Sequence, residues 1–153
     1  MMPATAARTS VRAADWRAAI RSALQPLVAV GAVEDRYVEA AVAAVEMQGP
    51  YIVLAPGVAL AHARPEDGAV VLGLSVAVLA EPVSFGHPTN DPVDVVLAFG
   101  SPDRDQHVGL LAALARQLRA GLLDDLRTAT GDDDACRLLD EVMHDVHEPR
   151  SAG

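Results

Sequence analysis

The chain has 153 residues, about the length of one domain, and its 51% hydrophobic and 22% charged residues are typical of a globular protein. Twelve basic and 21 acidic residues leave a net charge of −9, so the surface would repel a phosphate backbone and nucleic-acid binding is not expected. All basic residues are arginine, which excludes Schiff-base chemistry and a P-loop lysine, and the single cysteine excludes a disulfide framework or a multi-cysteine metal site.

Residues 1–13 are small, polar and aperiodic, and we expect a flexible N-terminus there, ahead of one domain over 14–147. This start lacks the long apolar stretch and the cleavage site of a signal peptide. No apolar run reaches the roughly 18 residues of a membrane-spanning helix. The sequence therefore predicts a cytoplasmic protein without direct membrane insertion. Residues 148–153 form a polar tail.

Two amphipathic helices are predicted next. Apolar residues recur at helical spacing from Trp16 to about Val30, and Pro26 predicts a kink or a break within this helix. A second helix fits Glu34 to about Gln48, and the following Gly49-Pro50 is a stop signal.

The pattern then changes to that of β-strands. Short apolar runs at 51–54 and 58–60 precede the valine-rich segment 69–80, which is typical of a strand buried on both faces. A further strand fits 93–99, and three helices follow: one capped by Asp103 or Asp105, one near 122–128 and one near 133–144. This order predicts a single α/β domain, with helices covering a small sheet.

Histidine is the candidate for chemistry. His62 follows a short apolar run and precedes Arg64-Pro65, so it is predicted at a strand end, where free backbone N–H groups can meet an anion. Arg64 offers a planar donor fork for phosphate. His107 opens the helix after the 93–99 strand, where the helix terminus favours a negative ligand. From these residues alone, a structural His62 and a surface His107 remain open alternatives.

Three segments carry a family resemblance. Residues 49–68, GPYIVLAPGVALAHARPEDG, resemble the active-site segment of phosphotransferase-system (PTS) EIIA type-2 domains, the mannitol/fructose family, and most resemble its ascorbate-specific IIA branch. Residues 85–93 resemble a loop of that branch, and residues 105–115 resemble the family helix with the pattern H-x-x-x-L-x-x-L-A. The resemblance covers roughly residues 15–145.

The resemblance implies a fold and a set of roles. The fold is a sandwich-like α+β arrangement, a small mixed sheet flanked by helices, with both histidines at one edge. His62 matches the histidine that becomes a tele-phosphohistidine intermediate, and His107 matches an assisting pocket histidine. The sequence has Ala61 where the family usually has proline, and it lacks the arginine that mannitol-type members place near residues 45–47. Phosphate binding therefore falls to Arg64 or to the backbone alone.

The function that the resemblance implies is phosphoryl transfer in sugar uptake. The donor would be phospho-HPr and the acceptor a cysteine of a IIB component, with a membrane IIC partner carrying the sugar; no cofactor or metal is needed. Docking would use an apolar rim, for which Val58, Leu60 and Ala63 are candidates. The alternatives are a regulatory IIA-like module, phosphorylated on the same histidine but controlling a transcription factor or transporter, and a small structural or ligand-binding domain in which His62 is inert.

Other reactive residues have simpler interpretations. His87 lies in a Gly/Pro loop and is interpreted as loop structure, and Cys136 as a small buried hydrophobe. His144 and His147 could together bind a metal, but two ligands leave a tetrahedral site incomplete.

Overall fold

The computed structural model describes residues 3–147, the last of them by its backbone alone. In this part of the chain the apolar segments form five strands and five α-helices, and a 3₁₀ turn spans Pro65–Asp67. The elements in chain order are β1 (Ala4–Val11), α1 (Trp16–Ala29), α2 (Asp35–Gln48), β2 (Val53–Ala55), β3 (Val58–Ala61), β4 (Gly73–Val83), β5 (Val93–Gly100), α3 (Arg104–Arg119), α4 (Leu122–Arg127) and α5 (Asp132–His147).

The five strands form one mixed sheet in the order β1-β4-β5-β3-β2. β4 pairs antiparallel with β5, whereas β1 pairs parallel with β4 and β3 parallel with β5. Apolar side chains cover both faces: α1 and α2 pack on one face, and α3, α4 and α5 pack on the other. The expected small mixed sheet flanked by helices is therefore confirmed. None of the described helices is long and apolar enough to cross a membrane.

The flexible N-terminus predicted over 1–13 is wrong for residues 4–11, which form the edge strand β1. This strand pairs with β4 from Ala4 opposite Gly73 to Arg8 opposite Ala77. Helix α5 also holds it, since the backbone N–H of Thr9 donates a 2.7 Å hydrogen bond to Asp132. Both partners, β4 and α5, lie far from β1 along the chain, so a local sequence pattern does not predict this strand. The polar tail expected at 148–153 lies outside the described residues.

Helix α1 and strand β4 each differ in one detail from the sequence prediction. Helix α1 continues through Pro26, where a kink or a break was expected, and ends at Ala29. The valine-rich strand runs from Gly73 to Val83 rather than over 69–80. A Cβ at residue 73 would lie 3.0 Å from the side chains of Leu27 and Ala32, so glycine permits the close approach of β4 to this part of the chain.

Candidate functional site

The parallel pairing of β3 and β5 brings the two candidate histidines together. The strands are in register up to Ala61 opposite Ala98, so both end at the same edge of the sheet. His62 is the first residue after β3. After β5 a short loop leads into α3, which Asp103 caps by accepting the N–H of Gln106 at 2.9 Å. His107 lies in the first turn of that helix, and its ring centroid is 6.4 Å from that of His62.

The ring of Phe99 packs against both imidazoles. It stacks on His62 at a centroid distance of 5.1 Å and meets His107 in an edge contact at 5.0 Å. Phe99 is only 1% exposed, so the ring forms a fixed apolar floor under the two histidines. Tyr51 makes an edge contact with His62 at 6.1 Å from another side. The sequence patterns predicted both aromatic residues as parts of strand-like runs, at 51–54 and 93–99, and gave no sign that either ring contacts a histidine.

A backbone carbonyl sets the state of the His62 ring. Nδ1 lies 3.0 Å from the carbonyl oxygen of Leu60. A carbonyl oxygen only accepts hydrogen bonds, so Nδ1 carries the hydrogen, and in the neutral ring Nε2 keeps its lone pair. Burial lowers the pKa of His62; the Leu60 hydrogen bond opposes this shift, and His107 adds to it. A lowered pKa leaves the ring neutral near pH 7, and the lone pair of Nε2 is then available.

The two histidines line an open cleft of about 670 Å³. Helix α2 contributes one wall of small side chains, and the chain that follows His62 contributes another. The lining residues are Ala40, Ala43, Ala44, Met47, Gln48, Tyr51, His62, Ala63, Arg64, Pro65, Asp67 and His107.

Arg64 lines the same cleft but is engaged with neighbouring carboxylates. Its Nε lies 3.4 Å from Oδ2 of Asp67 and 3.6 Å from Oε1 of Glu66, and its side chain is 75% exposed. Exposed pairs of this kind contribute little to stability, so this guanidinium can exchange one acceptor for another. His62, His107 and Arg64, the three residues singled out from the sequence, thus line one cleft.

The apolar rim is built from different residues than expected. Val58 and Leu60 are buried in the sheet and are not available at the surface, because both faces of β3 are covered. Ala63 does line the cleft, together with Met47, which is 84% exposed, and Tyr51, which is 44% exposed. The apolar rim of the cleft therefore comes mainly from the end of α2 and the turn that follows it.

His87 and His144 are not among the described residues that line the cleft. Nδ1 of His87 accepts the backbone N–H groups of Thr89 at 3.2 Å and Asn90 at 3.0 Å, which confirms its interpretation as loop structure. A metal site at His144 and His147 stays untested, because the side chain of His147 lies outside the described residues. Cys136 is half-buried, and its Sγ lies 3.5 Å from the hydroxyl of Thr5, so it is more accessible than expected.

Comparison with known proteins agrees with the resemblance in the motifs. Residues 2–142 match the family model described as phosphoenolpyruvate-dependent sugar phosphotransferase system, EIIA 2. The chain is 36% identical to the ascorbate-specific PTS system EIIA component of Shigella boydii over 147 residues, which is 95% of this chain and 91% of that protein.

Solved structures show the same fold. The solution structure of the mannitol-specific cryptic phosphotransferase enzyme IIA from Escherichia coli superposes with a TM-score of 0.75 at 29% identity, covering 90% of this chain and 91% of that one. The Escherichia coli mannitol enzyme IIA, solved in complex with phosphorylated enzyme IIB, gives a TM-score of 0.73 at 24% identity, over 88% and 94% of the two chains. Because the family model matches residues 2–142, most of the chain, this chain belongs to the EIIA type 2 family of the phosphoenolpyruvate-dependent sugar phosphotransferase system.

Proposed function

We propose that Nε2 of His62 accepts a phosphoryl group from phospho-HPr and passes it to a cysteine of a IIB component. The observation that carries the proposal is the hydrogen bond from Nδ1 of His62 to the Leu60 carbonyl, 3.0 Å long. This bond holds the hydrogen on Nδ1 of His62. The nitrogen that remains free is Nε2, the tele nitrogen.

Transfer takes place in two displacements at phosphorus. In the first, the lone pair of His62 Nε2 attacks the phosphoryl group in line, and the N–P bond to the HPr histidine breaks with its electron pair returning to that imidazole. In the second, the IIB thiolate attacks the same phosphorus and the N–P bond to His62 breaks. Each step exchanges one bond to phosphorus for another, so no cofactor or metal is required.

The neighbouring groups have supporting roles in this proposal. His107 lies close enough to His62 to donate a hydrogen bond to the phosphoryl oxygens, with ring centroids 6.4 Å apart. Arg64 would exchange Asp67 for the incoming phosphoryl group, because a dianionic phosphate accepts more strongly than a single exposed carboxylate. The floor formed by Phe99 keeps the His62 ring in one orientation.

The names of the relatives support a proposal for the substrate system. The Shigella boydii relative is named for ascorbate, and we propose that this chain serves the uptake of ascorbate or a similar carbohydrate. We further propose a IIB component as acceptor, as in the solved complex of the mannitol enzymes. The sugar itself would bind the membrane IIC partner, so no residue of this cleft contacts it.

Reconstituted transfer tests the proposal. Purified wild type, His62→Ala and the control His87→Asn are incubated with labelled phosphoenolpyruvate, Enzyme I and HPr, and a IIB component is then added. Asparagine at position 87 keeps an acceptor for the loop N–H groups while removing an imidazole. We expect an acid-labile, base-stable label on one peptide containing His62 in wild type and control, and transfer of that label to IIB. Equal labelling of His62→Ala would refute the assignment.

A further inference from the structure

Tyr37, a residue of α2, joins the two strand ends on which the site depends. Its side chain is fully buried. Its hydroxyl donates a hydrogen bond to the carbonyl of Phe99 at 2.7 Å and accepts the N–H of Ala63 at 3.0 Å. Ala63 follows His62 directly, and Phe99 carries the ring that both imidazoles contact. One hydroxyl therefore connects the peptide next to His62 to the floor of the site.

The hydroxyl acts where the regular strand pairing stops. The register of β3 on β5 ends at Ala61 opposite Ala98. The N–H of Ala63 and the carbonyl of Phe99 lie just beyond this point, and buried backbone groups of this kind need a partner. Burial raises the pKa of Tyr37 to about 12, so the phenol keeps its proton and stays a donor. Through these two hydrogen bonds Tyr37 links the chain after β3 to the end of β5, beyond the last backbone pairing of the two strands.

The backbone at this strand end also determines the state of the His62 ring. The hydrogen bond from Nδ1 reaches only two residues back, to the carbonyl of Leu60, so its length depends on the backbone torsions between these residues. We infer that Tyr37 is a positioning residue of the site: its hydroxyl holds the backbone around His62 so that Nδ1 keeps the Leu60 carbonyl and Nε2 stays free. This inference rests on the proposed phosphoryl transfer at His62.

The test compares two variants that each remove one buried hydroxyl. Tyr37→Phe removes the hydroxyl at the site. Ser75→Ala is the matched control, because Ser75 is fully buried in β4 and its hydroxyl donates to the carbonyl of Ala23 on α1 at 2.6 Å. For both variants the free energy of unfolding, the ¹⁵N chemical shifts of the His62 ring nitrogens and the rate of phosphoryl acceptance from phospho-HPr are measured.

We expect both variants to lose stability, but only Tyr37→Phe to change the ring. In wild type and Ser75→Ala, the His62 nitrogens should give two well-separated ¹⁵N shifts, with the hydrogen on Nδ1. In Tyr37→Phe the two shifts should move towards each other as the second tautomer becomes populated, and phosphoryl acceptance should fall about tenfold. Unchanged His62 shifts with an unchanged rate would overturn the inference, as would equal changes in Ser75→Ala.

Hydrogen exchange in the wild type gives a second measurement that needs no variant. If Tyr37 holds the N–H of Ala63, this amide should exchange about 100-fold more slowly than an exposed amide. Exchange at the rate of an exposed amide would overturn the inference even if Tyr37→Phe fails to fold. The ring shifts and the amide exchange are read without phosphate, so they separate this inference from the phosphoryl-transfer proposal, which labelling of His62 decides.

Discussion

Nδ1 of His62 lies 3.0 Å from the carbonyl oxygen of Leu60, two residues earlier in the chain. This contact connects the chemistry of the ring to the way in which β3 ends. The strand continues in register with β5 up to Ala61, and the next residue turns its ring back over the strand end. Because Nδ1 donates its hydrogen to this carbonyl, the lone pair of the neutral His62 ring lies on Nε2.

The first prediction concerns the protonation of His62. Burial is the largest influence on its pKa and lowers it, so the titration midpoint should lie below the usual value of about 6.5. Phosphoryl acceptance should then hold its rate down to about pH 6.5 and fall as the ring protonates below that pH. NMR titration of the His62 ring beside the rate profile checks this; a midpoint at or above about 6.5 would contradict it.

The same shift has a consequence for stability. Because the folded pKa is lower than the unfolded one, the unfolded chain binds more protons in the window between them. The stabilisation from a neutral His62 is therefore complete above about pH 6.5 and is lost as the pH falls through this window. In His62→Gln this part of the pH dependence of the unfolding free energy should disappear.

The second prediction concerns His107. His107→Ala should still become labelled on His62, but transfer should slow by about two to three powers of ten, because the phosphoryl group loses a donor in the transition state. His87→Asn, which removes an imidazole in the loop between β4 and β5, should transfer at the wild-type rate. Rapid-quench measurements of transfer in both directions test this prediction. Turnover of His107→Ala equal to that of wild type would show that His107 takes no part in the transfer.

A third prediction concerns Arg64. Arg64→Gln should lower the transfer rate about tenfold, because the phosphoryl group loses one charge-assisted hydrogen bond. The control is Arg21→Gln, since Arg21 is also an exposed arginine held by a carboxylate, with 3.0 Å between its Nη2 and Oε1 of Glu39. If both variants transfer phosphate at the same rate, Arg64 makes no contact with the phosphoryl group that matters for transfer.

The fourth prediction concerns docking at the cleft. Met47 lines the cleft and is 84% exposed, so a partner that covers His62 would bury its side chain. Met47→Ser should raise the KM for phospho-HPr about fivefold, corresponding to roughly 1 kcal/mol of apolar burial, and leave kcat nearly unchanged. Val30→Ser is the control, since Val30 is also apolar and 54% exposed but does not line the cleft. An equal effect of both changes on KM would argue against docking on this rim.

Much of the fold could be predicted from the sequence because helical spacing and valine-rich runs report burial directly. The strand β1 could not, since its residues are mostly small and its partners are β4 and α5. Ser10 in this strand has a φ of +54° and lies within the register shift between Arg8 and Val11, so the pairing with β4 is irregular there.

The site was predictable for the residues with distinctive chemistry and not for those that hold them. His62 and His107 stand out as histidines next to turn signals. Phe99 and Tyr37 read only as core positions of a strand and a helix, because their importance comes from pairings across the sheet that no local pattern encodes. The rim was misassigned because burial of Val58 depends on the helices that cover the sheet.

The most direct measurement identifies the phosphorylated nitrogen. Protein labelled with ¹⁵N on its histidine rings is phosphorylated through Enzyme I and HPr, and the phosphorus–nitrogen coupling is read by NMR. The hydrogen bond from Nδ1 to Leu60 predicts coupling to Nε2 of His62, with Nδ1 still carrying its hydrogen. Coupling to Nδ1 of His62, or to a ring nitrogen of any other histidine, would contradict the account.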